Sequence, residues 1–270
     1  MTLTEIASLY LADRVCCGAY AHHVRKIAGR CGEPTAARIN AYLKARVEKV
    51  STITVRNERT IILSLCKYAW ERGMIDGVKG VMRIKARRAP TRAWTVEQLR
   101  LALAAADSSK RRLRSGAPVS EFLRAWMLLG YETGARFGDL MAFRAANIDG
   151  DTIRWTQSKT GDGIAKHMSP ACRAAVSRML ARSPDGRILG WACKRRQAAR
   201  IMRSHLDECG IGGTSKWLRR SGATHIEMEQ PGKAPLHLGH RTPTLAAQAY
   251  IDWGQVRKTT PSTPELWTEH

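Results

Sequence analysis

Four short segments of the chain contain the residue types that phosphoryl transfer uses, and they follow one another in a fixed order. They are residues 131–140 (YETGARFGDL), 157–161 (QSKTG), 216–225 (KWLRRSGATH) and 238–240 (LGH), the last followed by Tyr250. Taken alone, each segment has an ordinary explanation, such as a glycine that ends a helix or a solvated lysine in a turn. Taken together, they provide the cations and the nucleophile that attack on a phosphate requires.

Two arginines in these segments are suited to binding a phosphodiester during attack. The reaction spreads negative charge over the non-bridging oxygens, and a planar guanidinium binds such oxygens through two parallel hydrogen bonds, which a lysine cannot do. Arg136 and Arg219 are the candidates for this role. His240 can add a further hydrogen-bond donor to the same oxygens.

Tyr250 is the candidate nucleophile, and Lys159 is the candidate general acid. A phenol has an ordinary pKa of about 10 and attacks phosphorus only after losing its proton, which a cationic site favours. Lys159 would protonate the leaving 5′ oxygen, with Lys166 as the nearest alternative. The bond to Tyr250 would keep the phosphodiester energy, so rejoining needs no ATP. The sequence contains no Walker motif and no acidic cluster suited to two metal ions, and we expect no cofactor.

The composition indicates a polyanionic partner. Lysine and arginine number 45 against 23 aspartates and glutamates, which gives a net charge of +22. Such an excess most often implies nucleic acid as the partner, and the alternatives are a basic protein of the ribosomal type or merely a solvated surface. The seven cysteines include no C-x-x-C pair, which predicts a reduced intracellular protein without structural zinc. No long apolar run or signal peptide is apparent, so we expect no association with a membrane.

Apolar periodicity predicts that residues 1–85 form a helical first domain. We expect Thr4 to cap a helix that runs to Leu11, residues 34–35 to begin a second helix, and a third to run from Val55 to Arg72.

A basic stretch at 86–92 contains a proline and lacks apolar periodicity, which fits an interdomain linker and an ordinary solvated loop equally well. Residues 93–270 are then expected to form a second domain that is mainly α-helical with a small antiparallel β-sheet, an α+β fold. Thr95 is the expected N-cap of its first helix. A hairpin is predicted from strands at 153–157 and 164–168. Further helices are predicted at 121–132, 170–180, 192–209 and 215–228, and from 242 through Tyr250.

The four segments resemble the motifs of tyrosine site-specific recombinases of the phage-integrase family, T-G-x-R-x-x-E-L, a hairpin lysine, H-x-L-R-H-T-x-A-T-H and L-G-H…Y. Asp139 stands in the acidic position of the first motif, and Tyr250 follows His240 by ten residues where nine is commoner. The resemblance implies a helical core-binding domain at 1–85 and a catalytic domain at 93–270. It implies DNA cleavage and rejoining through a 3′-phosphotyrosine, with the catalytic set Arg136, Lys159, Lys216, Arg219, His240 and Tyr250.

The resemblance also implies partners and a place in the cell. Four protomers would assemble on two double-stranded DNA sites, with accessory DNA-bending proteins as further partners, in the bacterial cytoplasm. The tail after Trp253 would contact a neighbouring protomer.

Lys216 stands where the family most often has histidine. A neutral lysine could accept the proton of the nucleophile only if burial or neighbouring charge lowered its pKa. Otherwise Lys216 would be another phosphate donor, and the sequence leaves both roles open.

Two other functions fit the same residues. A relaxing enzyme of the type IB topoisomerase kind shares the chemistry but needs only one DNA site. A non-catalytic DNA-binding protein of recombinase ancestry would bind DNA without forming a covalent adduct.

Overall fold

The computed structural model describes residues 1–86, 89–240 and 242–256, apart from the side chain of Leu245. Contacts divide the chain into two units, Met1–Ala89 and Pro90–His270. Arg87 and Arg88 of the predicted linker lie outside the described residues, as does the tail from residue 257. The roles of the two units and of the tail stay predictions. Within the described ranges, no helix combines the length and hydropathy needed to cross a membrane.

In the described residues of the first unit, four helices pack their apolar faces into one core. The helices are α1 (Leu3–Ala12), α2 (Gly18–Cys31), α3 (Ala36–Val47) and α4 (Thr52–Trp70). Their side chains pack inward at helical spacing, so that one stripe of each helix is buried. The fully buried members include Leu3, Ile6, Val24, Ile39, Leu43, Ile62 and Leu65.

The start of the first helix differs from the prediction that Thr4 caps it. Thr2 is the N-cap: its hydroxyl accepts from the Glu5 main chain at 3.3 Å, and the Glu5 carboxylate accepts from the Thr2 main chain at 2.8 Å. This reciprocal capping box satisfies two main-chain donors, whereas a cap at Thr4 would satisfy one. Helix α2 was not predicted, because Cys17 at its N-terminus offers no side-chain cap.

The second unit is mainly helical with one small antiparallel sheet, as predicted. Its elements are α5 (Val96–Asp107), α6 (Val119–Thr133), α7 (Phe137–Ala142), a 3₁₀ turn (Ala145–Asn147), β1 (Ile148–Asp149), β2 (Thr152–Thr156), β3 (Gly163–His167), α8 (Pro170–Ala181), α9 (Arg195–Glu208), α10 (Lys216–Glu229), α11 (Ala234–Leu238), α12 (Pro243–Ala249) and α13 (Trp253–Val256). Thr95 caps α5 as predicted. Helix α9 begins three residues later than predicted.

The sheet contains the predicted hairpin and one further short strand. Its order is β1-β2-β3, and both pairs are antiparallel. In β2, Ile153 and Trp155 are buried while Arg154 and Thr156 are exposed, the alternation of a strand with one face on a core.

Helix α6 is central to the second unit and contacts α5, α8 and α10. It ends at Gly134, whose φ of 59° is left-handed, a conformation that favours glycine. The chain then turns at once into α7, with Arg136 as the residue that precedes the helix. This corner places the first motif beside α10, which carries the third.

Candidate active site

Arg219 lies at the centre of the candidate site. Its side chain is buried on α10 and donates to the main-chain oxygens of Gly134 and Leu238, the latter at 2.8 Å, while Nη2 lies 3.0 Å from Nε2 of His240. Burial, opposed by neighbouring groups such as Tyr250, lowers the pKa of Arg219 to about 10. The guanidinium is thus held as a cation by neutral main-chain groups, which leaves its charge available to an anion.

The ring of Tyr250 lies close to the side chains of Arg219, Lys216 and His240. The Cζ atom of Arg219 lies 4.9 Å from the ring centroid and the Nζ atom of Lys216 lies 5.4 Å from it. The ring of His240 meets it edge-on, with 5.1 Å between centroids. An anion bound beside this ring would therefore lie close to the guanidinium of Arg219 and the amino group of Lys216.

The segment that carries Tyr250 is attached to α10. The predicted helix through Tyr250 is one residue too long: α12 ends at Ala249 and Tyr250 follows it with non-helical backbone. The hydroxyl of Thr224 donates to the Tyr250 carbonyl at 3.5 Å and accepts from the main chain of Asp252 at 2.9 Å. Both bonds hold the main chain that directly follows the tyrosine side chain against α10.

His240 is positioned by the turn after α11. Gly239 ends that helix with a φ of 61°, and the His240 main chain donates to Pro235 at 2.9 Å. Burial first, and then the charges of Arg219 and Arg136, lower the pKa of His240 to about 4. The imidazole is therefore neutral at pH 7, with Nε2 as the acceptor assigned from its arginine neighbour.

Arg136 is joined to the predicted hairpin. Its Nη1 donates to the side-chain oxygen of Gln157, the last buried residue before the turn. Three residues after Arg136, the carboxylate of Asp139 accepts from the main chain and the hydroxyl of Ser158, at 3.2 and 2.7 Å. Two residues at the start of α7 therefore fix the beginning of the hairpin turn, Arg136 by binding Gln157 and Asp139 by binding Ser158.

The two hairpin lysines have different surroundings. Lys159 is exposed in the turn. Lys166, on β3, is half-buried, and its Nζ donates to the Leu236 carbonyl at 3.1 Å. Burial, and to a lesser extent the charge of Arg219, lower the pKa of Lys166. The structure thus brings Lys166, rather than Lys159, next to the Arg219 charge.

Three residues near the site were not singled out from the sequence. Gln157 binds Arg136 as described. Arg220 is half-buried beside Tyr250 with no partner for its Nε in the described part of the chain, and its burial lowers its pKa. His237 is buried next to Arg219, and burial followed by the charges of Lys166 and Arg219 lowers its pKa to about 3.

Not every residue of the third motif reaches the site. His225 instead accepts from or donates to the hydroxyl of Tyr131 through Nδ1, at 2.9 Å, which ties α10 to α6. Among the described residues, no cluster of three or more histidine, cysteine, aspartate or glutamate side chains could hold a metal ion.

Comparison with known proteins finds relatives in structure only. No protein-family model matches the chain, and no curated protein matches its sequence. A lambda integrase dimer bound to a COC′ core site is similar over 99% of this chain and 81% of that one, with a TM-score of 0.77 and 20% sequence identity. The Tn1549 transposon integrase in complex with circular intermediate DNA is similar over 96% and 98%, with a TM-score of 0.71 and 13% identity.

The chain has the fold of the tyrosine recombinases. The XerH site-specific recombinase bound to its difH substrate has the same fold, over 83% of this chain and 69% of that one, with a TM-score of 0.64 and 14% identity. Because these identities are low, the tyrosine-recombinase fold is what the similarity establishes.

Proposed function

We propose that the chain is a site-specific DNA recombinase or integrase that cleaves and rejoins strands through a 3′-phosphotyrosine. The observation that carries the proposal is the arrangement around Tyr250, whose ring lies against the buried Arg219, the half-buried His240 and the exposed Lys216. Arg219 is buried, its partners are main-chain carbonyls, and it forms no ion pair with a described residue. Burying such a charge costs free energy unless an anion binds to it. The scissile phosphate is that anion in our proposal.

The reaction forms one bond and breaks one. The phenolic oxygen of Tyr250 bonds to phosphorus after losing its proton to solvent, and the bond from phosphorus to the 5′ oxygen breaks as that oxygen gains a proton. Arg219 and Arg136 neutralise the non-bridging oxygens, and a hairpin lysine protonates the leaving group. His240, neutral at pH 7 with Nε2 facing Arg219, has its N–H at Nδ1, which has no partner among the described residues and is the group that would donate to a non-bridging oxygen.

DNA and other copies of this chain are the proposed partners. The net charge of +22 supports a polyanionic substrate. Structural relatives were solved on DNA, including a lambda integrase tetramer bound to a Holliday junction. We propose that this chain likewise acts on double-stranded DNA as a homotetramer, with the first unit as its core-binding domain.

The decisive experiment is trapping of the covalent adduct. A nicked duplex that loses its 5′ end after cleavage should leave the wild-type chain attached to DNA, visible as a slow band on a denaturing gel. Tyr250→Phe should bind the duplex equally well and give no adduct, because the phenyl ring keeps the packing but has no nucleophile. An adduct formed by Tyr250→Phe would show that another residue attacks, and wild-type binding without an adduct would indicate a non-catalytic DNA-binding protein.

A further inference from the structure

Gln157 is a polar residue at a position that strand geometry turns inward. Ile153 and Trp155 face the core from β2, and Gln157 is two residues further along, with 1% of its surface exposed. A buried amide is stable only when its oxygen and its N–H groups find partners. The partners that Gln157 has in this chain are therefore informative.

The side chain of Gln157 connects the two arginines of the site. Its Oε1 accepts from Arg136 and from the hydroxyl of Thr160, the latter at 3.0 Å, and its Nε2 donates to the Leu238 carbonyl at 3.1 Å. The same Leu238 carbonyl accepts from Arg219 at 2.8 Å. One amide and one carbonyl thus fix the two guanidinium groups relative to each other.

The L-G-H turn closes directly on this amide. A Cβ atom at Gly239 would lie 2.7 Å from Nε2 of Gln157 and would also overlap the side chain of Ile164. The turn that sets His240 can approach the hairpin this closely only because residue 239 has no side chain. The contact joins the second motif to the fourth.

We infer that Gln157 is a positioning residue for strand cleavage, acting by holding Arg136 in register with Arg219. The inference rests on the proposed function. A guanidinium without a fixed partner samples several rotamers, and a displacement of about 1 Å from the reacting phosphate costs on the order of 100-fold in rate. Gln157 does not itself need to touch the DNA.

A second route of action has to be separated from this one. Gln157 also contacts Thr160 in the turn, so its loss could act through the position of Lys159. Two modified duplexes distinguish the routes. A methylphosphonate at the scissile position removes one non-bridging charge and so lessens the need for Arg136. A 5′-bridging sulfur leaves without a proton and so removes the need for the acid.

The experiment measures single-turnover cleavage on ordinary, methylphosphonate and sulfur duplexes. We expect Gln157→Leu to cleave the ordinary duplex about 100-fold more slowly than wild type, to recover in part on the methylphosphonate and to remain slow on the sulfur duplex. Gln157→Met, which keeps the length of the side chain and lacks its hydrogen bonds, should behave in the same way. The pair guards against a packing defect peculiar to leucine, and thermal unfolding of both variants checks that they are folded.

Ser158→Ala provides the matched control. It removes the hydroxyl that donates to Asp139 and leaves the contacts of Arg136 and Leu238 intact. The substitution should loosen only the hairpin turn that carries Lys159. The 5′-sulfur duplex should therefore restore its cleavage rate, and the methylphosphonate duplex should not. The inference is overturned if the Gln157 variants cleave like wild type, if sulfur alone restores them, or if neither duplex does. Wild-type adduct on the ordinary duplex is required first, and its absence would instead contradict the proposed function.

Discussion

At the scale of single residues, both lysines of the hairpin are candidates for the general acid that protonates the leaving 5′ oxygen. Lys159 occupies the position that the motif order favours, while Lys166 is the lysine that the structure places near Arg219. Burial lowers the pKa of Lys166, which suits a group that must release a proton to a leaving alkoxide near neutral pH.

We predict that the acid is identified by sulfur rescue. If Lys159 protonates the 5′ oxygen, Lys159→Ala should slow cleavage of the ordinary duplex by roughly 10²–10⁴-fold and recover on the 5′-sulfur duplex. Arg136→Ala should be slow on both, since its partner is the non-bridging charge. Rescue of Lys166→Ala with no improvement of Lys159→Ala would move the assignment to Lys166.

Lys216 can be tested by replacing it with the residue that is commoner in the family. Because its side chain is exposed to solvent above the Tyr250 ring, we expect it to act as a cation. Lys216→Ala should reduce adduct formation about 100-fold, whereas Lys216→His should stay within about tenfold of wild type. As a donor, the new histidine works best when protonated, so the rate of this variant should fall as the pH rises through about 6.5. A rise over that range would indicate a base.

At the scale of elements, two glycines allow α6, α10 and α11 to meet around His237. A Cβ at Gly134 would lie 2.7 Å from Nε2 of His237, and a Cβ at Gly222 would lie 2.8 Å from that atom and 2.5 Å from the Tyr131 carbonyl. The imidazole therefore occupies a slot that glycine creates on both sides. This packing sets the distance between the Arg136 corner and the helix that carries Arg219.

We predict that the two glycines respond differently to removal of the imidazole. Gly134→Ala and Gly222→Ala should each destabilise the chain by about 1–3 kcal/mol through overpacking. Adding His237→Ala should remove the steric clash that Gly134→Ala creates. The destabilisation that remains is the cost of a left-handed backbone at an alanine, about 1–2 kcal/mol. His237→Ala should not relieve Gly222→Ala, whose clash with a main-chain oxygen remains. Urea unfolding of the single and double variants measures the free energy by which His237→Ala offsets each glycine substitution. If it offset both equally, the two glycines would not form the slot in the way described.

Most elements around the site could be predicted from the sequence, and their contacts could not. The hairpin strands, the cap at Thr95 and the glycine end of α6 follow from alternation, capping and left-handed backbone, which are local. The role of Gln157 depends on contacts with residues 21 and 81 positions away. One sequence signal did point to it, since it continues the inward face of β2 as a polar residue.

At the scale of the whole molecule, helix α9 exposes part of the excess positive charge on one of its faces. This helix buries Ala198, Met202 and Leu206, while Arg196, Arg200 and Arg203 are exposed on its other side. None of these three arginines forms an ion pair with a described residue. Their charge is therefore uncompensated within that part of the chain, unlike that of Arg182, which is bonded to Glu121 at 2.9 Å.

We predict that DNA binding weakens steeply with salt and that α9 accounts for part of the slope. Each neutralised phosphate contributes about −0.9 to the slope of log K against log salt. A slope near zero would rule out DNA binding through phosphate contacts. Arg200→Gln should make the slope shallower by about 0.9, because it removes one cation that releases counterions. Arg182→Gln is the matched control on the same unit and should leave the slope unchanged, since Glu121 already neutralises that guanidinium. Fluorescence anisotropy over a salt series measures both. An equal change in the two variants would mean that net charge alone, and not the exposed face of α9, sets the affinity.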